Sequence, residues 1–570
     1  MKESHKHLLA FTVTTIYFAI ILLLVGSCYC INDDRFMGEL LSGAITGKPE
    51  THLVYVNYLM SLPLSLLYHI STSVPWFGIM LLLFHFLSCY VILTSFYQKA
   101  QTAKAIWLCT ILVGILFLSE IYLITRISYT ITASFMAVAG FISLILNENK
   151  FQRYFYFILL ELLAFLLRDK AMLMILPLGF IVFFGLKLIE KNSTFKEKIY
   201  ETLKVFGILL IIIIVSFSGN KIGYSDTEWD IYNKYNDART TLFDFSQFPP
   251  YEDVAYILEK YNVTQTDYEA YINYTILDYK LNLDCIEELA EYCHSNKTTF
   301  SINDLFEFYK IKTIWDPYWG TNILMLVCYA CVIAFLLLSG HFRGCISILF
   351  LIIVRSAIWL YLIDGDRFPH RISMPLIACE ILLLVTIAYH SYTREPKYKK
   401  WQNTAYIILC LIFSVTGIWC FKNQFVDLQQ TNKMQEASMQ SYAEVLDYCN
   451  SHPEKTYILD TLSFANYNAE VFDISIYGKQ NFVMSSTWFA NSPAMLDKIQ
   501  TYLGNTTDGF YFILKMRDNM QIDLDSSPTI QYFAKETKCT PVISDSITSN
   551  YGETFLVIYF DNTLDLYTEP

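Results

Sequence analysis

The chain has 570 residues, 54% of them hydrophobic and 16% charged, with a formal net charge of −12. With a mean hydropathy of +0.35, it is too apolar for a soluble enzyme of this length, and its apolar residues fall in blocks, so it reads as a multi-pass membrane protein. The acidic balance argues against a nucleic-acid partner, since most acids lie in two polar stretches, about 219–318 and 421–570, that read as folded aqueous domains.

Windows of about 20 apolar residues, enough to cross a bilayer as helix, predict eleven spans. They run 8–30, 76–97, 105–123, 127–146, 151–167, 171–189, 203–218, 320–339, 345–362, 372–389 and 404–420. The first is long and has no small-residue cleavage site before an acidic loop, so it is expected to stay as an anchor. That loop carries adjacent acids, Asp33 and Asp34. Such a pair is most often solvated or caps a helix, yet a membrane edge is a costly place for it.

The segment from His52 to Ile70 is apolar but contains His52, Asn57, Pro63 and His69. Read as a helical hairpin on the membrane surface rather than a span, it collects the basic residues on one side. These are Lys2, Lys6, Lys99, Lys104, Lys150, Arg153, five lysines between 187 and 204, Arg343 and the run from Arg394 to Lys400. The positive-inside rule then makes that side cytoplasmic. The acid loop, both polar stretches and the loop after the ninth span face outward, in a bacterium the outer face of the cytoplasmic membrane.

Ionisable residues inside predicted spans are Glu120, Glu161, Arg355, Glu380 and His85. Arg355 and Glu380 sit at matching depths in antiparallel helices and are expected to pair, with a role along a substrate path as the alternative; His85 reads as structural. At the outer edge stand Leu167-Arg168-Asp169-Lys170 and Asp364-Gly-Asp-Arg-Phe-Pro-His-Arg371. The second places Asp366, Arg367, His370 and Arg371 at the lip of a helix, where guanidinium groups suit bidentate phosphate recognition. The alternative is solvation or snorkelling to lipid headgroups. Together the three outer loops offer a carboxylate base and a phosphate clamp on one face, a combination suited to group transfer from a lipid phosphate.

The first polar stretch predicts helices over Tyr251–Tyr261, Thr266–Leu281 and Cys285–Tyr292. Its Trp229, Tyr232 and Tyr235 could stack on sugars, whereas Trp315, Tyr318 and Trp319 fit an aromatic belt. The terminal stretch opens with a helix near 428–451. Short strands follow at Thr456–Leu459, Phe510–Leu514 and Phe555–Phe560, which makes a small α/β module without a phosphate loop or nucleophile elbow. Most of the 14 cysteines sit inside apolar runs, where they behave as small hydrophobes, and Cys285 and Cys293 are candidates for a disulfide in an oxidising compartment.

These features carry a resemblance. A first helix ending in Asn32-Asp33-Asp34-Arg35-Phe36-Met37, a surface hairpin, about eleven spans, Leu167-Arg168-Asp169-Lys170, Tyr235-Asn-Asp-Ala-Arg239 with Asp244, Asp366-Arg367 to Arg371, and a trailing outer domain resemble the GT-C superfamily of integral membrane glycosyltransferases. The resemblance implies a polytopic α-helical fold with a helical extracytoplasmic insertion and a C-terminal extracytoplasmic α/β domain. The divisions are 1–218 with the first outer loop at 31–75, then 219–318, 319–420 and 421–570. It implies transfer, with inversion, of a sugar from a polyprenyl phosphate to a glycan or lipid-linked acceptor of the cell envelope. Asp33 or Asp34 would be the base, Arg367, Arg371, His370 and Arg168 the phosphate site, and Asp169, Lys170, Asp366 and His52 substrate contacts. No cofactor is required, although the adjacent acids leave open a divalent cation, Mg²⁺ or Mn²⁺. A lipid or polysaccharide flippase, a glycan polymerase or ligase, and a non-catalytic scaffold are the alternatives.

Overall fold

Where lipid replaces water, backbone N–H and C=O groups must find partners within the chain, so long apolar segments fold as helices. The computed structural model describes residues 2–561 apart from 191–192, 278–279, 297–299, 316–317, 366–367, 393–399, 466, 468, 479, 505–508, 517–523 and 525–526. In chain order the first half contains α1 (Glu3–Val25), α2 (Asn32–Ser42), α3 (Tyr58–Ile70), α4 (Trp76–Lys99), α5 (Ala103–Ser119), α6 (Ile121–Thr125), α7 (Tyr129–Leu146), α8 (Lys150–Leu188) and α9 (Phe195–Gly223). The polar stretch that follows supplies α10 (Thr227–Phe245), α11 (Tyr251–Lys260), α12 (Gln265–Ile272), α13 (Leu283–Ser295) and α14 (Ile302–Lys310). The chain then returns to apolar helices α15 (Thr321–Leu338), α16 (Gly344–Asp364), α17 (His370–Tyr392) and α18 (Lys400–Ser451).

Among the described residues nine helices are long and apolar enough to cross a membrane. The chain is a multi-pass α-helical membrane protein. The predicted spans 151–167 and 171–189 are the two arms of α8, whose backbone is extended at Arg168 (φ −158°, ψ 97°). Glu161 of the first arm lies against Gly140, and Gly179 of the second lies against the neighbouring Phe141. Arg153 and Lys187, near the far ends of the arms, line one cavity, so the arms run antiparallel. The predicted span 105–123 is α5, which stops at Glu120. Gln424 of α18 fills that break, donating to the Ser119 carbonyl and accepting from the Tyr122 N–H.

α7 is the axis of the bundle, every one of its residues buried. Its Thr, Ser, Ala and Gly side chains let α4, α8 and α17 approach closely, which is how helices associate where no hydrophobic drive separates them from lipid. α1, α9 and the first half of α18 instead show large apolar side chains outward, such as Leu23, Phe217 and Val415. The predicted pair inside the bundle is formed, with Arg355 Nε 2.7 Å from Glu380 Oε1; Tyr329 donates to the same carboxylate.

α18 is 52 residues long, about 78 Å at 1.5 Å per residue. It leaves the apolar layer and continues unbroken as the opening helix of the terminal domain, so the expected separate helix near 428–451 is its extension. The expected division at 420/421 falls inside α18, and that at 218/219 inside α9.

Two strands near the bundle, β1 (Cys28–Tyr29) and β2 (Arg126–Ile127), pair in parallel. The terminal domain adds β3 (Tyr457–Leu459), the short helix α19 (Thr461–Phe464), β4 (Val483–Met484), α20 (Pro493–Gly504), β5 (Phe510–Lys515), α21 (Pro528–Thr537), β6 (Val542–Thr548) and β7 (Thr554–Phe560). Its five-stranded sheet has the order β4-β3-β5-β7-β6, parallel on the β3 side and antiparallel through β7. The sequence pattern missed β4 and β6, one very short and the other largely exposed at an edge.

The polar insertion is helical as expected, but α10 and α14 were not anticipated and the predicted helix 266–281 ends at Ile272. Cys285 and Cys293 are not bonded to each other. Eight residues apart on α13, they are separated by about 12 Å of helix rise, beyond the reach of a disulfide. The insertion docks on the terminal domain through Ile276 N–H to the Ser485 carbonyl at 3.0 Å and Thr275 to Thr529 at 2.9 Å.

Candidate active site

Asp33 and Asp34 occupy the first turn of α2 and diverge completely. Asp34 is fully buried. Its Oδ1 accepts from the Tyr129 N–H at 3.1 Å, and Oδ2 accepts from the Ile31 N–H at 3.2 Å. One carboxylate thus satisfies orphan donors at the starts of both α7 and α2. Burial nevertheless pushes its pKa up to about 7, against the lowering effect of the Tyr129 bond and of Arg371.

Asp33 leaves about 20% of its side chain open, and its Oδ2 lies 3.6 Å from Arg371 Nη1. Burial raises its pKa; Arg371 opposes that rise, Asp244 adds to it, and the charges of Arg168 and Arg239 also favour the carboxylate. Groups from α2, the elbow of α8, α10 and the first turn of α17 therefore converge on one side chain. The N-terminus of α17 adds its own positive potential there.

Each arginine is held by a specific device. The extended backbone at Arg168 turns its guanidinium between the rings of Tyr55 (5.1 Å) and Tyr129 (5.3 Å), with Nη1 donating to the Tyr55 carbonyl at 3.3 Å. Arg239 is buried and gives Nη2 to Asn236 at 3.0 Å and to the Tyr55 hydroxyl at 3.5 Å. Tyr55 in turn packs on Trp488 of the terminal domain at 4.8 Å, and Phe36 meets the same indole edge-on at 5.3 Å.

The remaining expected residues scatter. Asp169 accepts from the Lys170 N–H at 2.6 Å, while Lys170 is exposed and acts on Asp237 of α10. His370 is exposed and sits against Tyr318 (5.4 Å) and Trp319 (5.5 Å). Asp366 and Arg367 lie outside the described residues. His52, expected as a substrate contact, is fully engaged elsewhere. Its Nδ1 is 2.7 Å from Glu50, its Nε2 3.1 Å from the Gly223 carbonyl oxygen, and its ring stacks on Trp229 at 4.1 Å. That ring pins the segment before α3 to α9 and α10.

Arg239 and Asp244 belong to a motif quoted from the sequence, but no role at the site was expected of them. Tyr55 and Trp488 were not singled out, because their roles come from packing between distant segments.

A divalent cation at the adjacent acids fits poorly. Asp34 is turned onto backbone donors, and Asp33 faces arginines. Among the described residues no three His, Cys, Asp or Glu side chains gather as a metal site.

The loop bearing Asp33 is fixed from the terminal domain. Ser27 and Tyr29 exchange backbone bonds with Val471 and Ala469 at 2.9 and 3.0 Å, and Arg35 Nη1 donates to the Tyr467 carbonyl at 2.6 Å over the Tyr442 ring.

No family model and none of the curated proteins compared matches this chain. Two solved structures are similar to it across 99% of both chains. One is ArnT from Cupriavidus metallidurans bound to undecaprenyl phosphate, at 10% identity and a TM-score of 0.39. The other is the same protein in the apo state, at 9% identity and a TM-score of 0.38.

Proposed function

We propose that this protein is a GT-C-type membrane glycosyltransferase that moves a sugar from a polyprenyl phosphate to a hydroxyl of a cell-envelope glycan or lipid-linked acceptor, at the outer face of the membrane. The observation that carries the reading is one partly open carboxylate, Asp33, set against Arg371, Arg168 and Arg239 at the same end of a membrane bundle.

In the proposed reaction the acceptor oxygen bonds to the anomeric carbon as its proton passes to Asp33. The bond from that carbon to the phosphate oxygen breaks, and its electron pair leaves with the phosphate. A positioned carboxylate contributes about 10²–10⁴-fold to such a proton transfer. The arginines meet charge where it develops, on the departing phosphate. Arg371 links the two halves. In the resting site its charge holds Asp33 less basic; a donor phosphate that engages Arg371 offsets that charge and makes Asp33 a better base. Asp34 is assigned to architecture, and neither a metal nor a cofactor enters a step.

A panel of synthetic short-chain donors in detergent tests this reading, polyprenyl-phosphate monosaccharides against lipid-pyrophosphate glycans, with product configuration read by NMR. Turnover of the monophosphate donors with inversion is expected. Turnover of the pyrophosphate glycans alone would instead make the protein a polymerase or ligase.

A further inference from the structure

At the end of the bundle opposite Asp33, four helices and a loop enclose a second, differently charged site. A cavity of about 100 Å³ is lined by Lys99, Arg153, Lys187, Glu190 and His390, over a floor that includes Leu144 and Phe183. The lining comes from the ends of α4, α7 and α17 and from both arms of α8. Its fixed charges are three cations and one carboxylate. Lys187 is paired with Glu190 at 3.3 Å, and Lys99 reaches out of the cavity to Glu148, whose side chain is 60% exposed. Arg153 gives Nε and Nη2 to the Asn147 carbonyl at 2.9 and 2.7 Å, which fixes the guanidinium at the cavity wall. Lys99 and Lys187 are each only about one-fifth exposed.

Three cations converging between membrane helices are costly without an anion, and among the described residues two carboxylates, Glu190 and Glu148, pair with the three. We propose that this cavity binds the phosphate group of an anionic phospholipid in the leaflet opposite the Asp33 site, and that the bound headgroup ties α4, α7, α8 and α17 together. The volume suits a phosphate group, being a few times the roughly 30 Å³ share of a water molecule, and is too small for a lipid-linked sugar. The apolar floor, Leu144 and Phe183, suits the start of the acyl chains below the headgroup. Basic pockets between helices on the cytoplasmic side commonly take acidic headgroups. A free phosphate ion shares the headgroup chemistry, so the test must separate the two.

The test is thermal unfolding of the purified full-length protein in neutral detergent with phosphatidylglycerol, phosphatidylcholine or inorganic phosphate, paired with native mass spectrometry of retained lipid. Binding to the folded state raises the midpoint. Phosphatidylglycerol is expected to raise it and to be retained, phosphatidylcholine not, and Lys99→Gln/Lys187→Gln to lose both effects while still unfolding cooperatively. If the charge-dependent shift comes from inorganic phosphate and no lipid is retained, the phosphate site stands and the lipid assignment falls. Equal shifts from both lipids, a shift that survives the double substitution, or no shift from any ligand would overturn the proposal. None of these readouts depends on sugar transfer.

Discussion

Asp33 and Asp34 are neighbours in sequence with opposite surroundings, and substitution should separate them. Asp33→Asn is expected to lower transfer by at least about 100-fold, the loss of a positioned base, with the unfolding midpoint nearly unchanged. Asp34→Ala is expected to act through stability, since it leaves the buried Tyr129 N–H unpaired at about 1–3 kcal/mol and frees the part-buried Ile31 N–H as well. A pH profile tests the link to Arg371. The base works ionised, so the rate falls as pH drops through the Asp33 pKa. Arg371 holds that pKa down, so in Arg371→Gln the acidic limb should move to higher pH, while Arg371→Lys keeps it near its original place; an unmoved limb in the Gln variant contradicts the pairing. The sequence exposed both acids but not the choice between them. That choice rests on the phase of α2, which turns Asp34 back onto the Ile31 N–H, and on the Tyr129 N–H, 95 residues away.

At the scale of elements, the elbow of α8 places Arg168 and the Arg355–Glu380 pair joins α16 to α17. Removing one member of a buried pair leaves an uncompensated charge, so Arg355→Met or Glu380→Ala alone should cost about 3–5 kcal/mol in unfolding. Arg355→Met/Glu380→Leu together should recover most of that loss; equal damage in the single and double variants would mean that the pair is not a unit. This pair was legible because depth along two antiparallel helices can be counted. The tight fold-back at Arg168 was legible only as a gap between apolar windows. That the gap aims a guanidinium between Tyr55 and Tyr129 depends on a loop more than 110 residues earlier in the chain. The continuity of α18 was hidden because its composition changes from apolar to polar without any helix-stopping residue.

At the scale of the molecule, the bundle supplies Arg168 and Arg371, the polar insertion supplies Arg239, and the terminal domain holds the acid-bearing helix in place. Gly38 of α2 faces Tyr477, with the ring 2.8 Å from where a Cβ would stand. Gly38→Val should therefore prise α2 from the terminal domain, seen as faster proteolysis between the two and weaker transfer while the bundle still inserts. Composition and hydropathy revealed the layered plan, because lipid and water sort residues strongly. The contacts that tie the site to the terminal domain, such as Ser27 with Val471 and Tyr55 with Trp488, were invisible because they join distant segments through backbone hydrogen bonds and ring packing. The most direct test of the account is the rate of sugar transfer from a polyprenyl-phosphate monosaccharide by wild type, Asp33→Asn and Asp34→Asn at matched folding. The account predicts transfer by wild type, a loss of at least about 100-fold in Asp33→Asn and measurable transfer in correctly folded Asp34→Asn. Transfer by Asp33→Asn at the wild-type rate, or no turnover of any such donor by wild type, would contradict it.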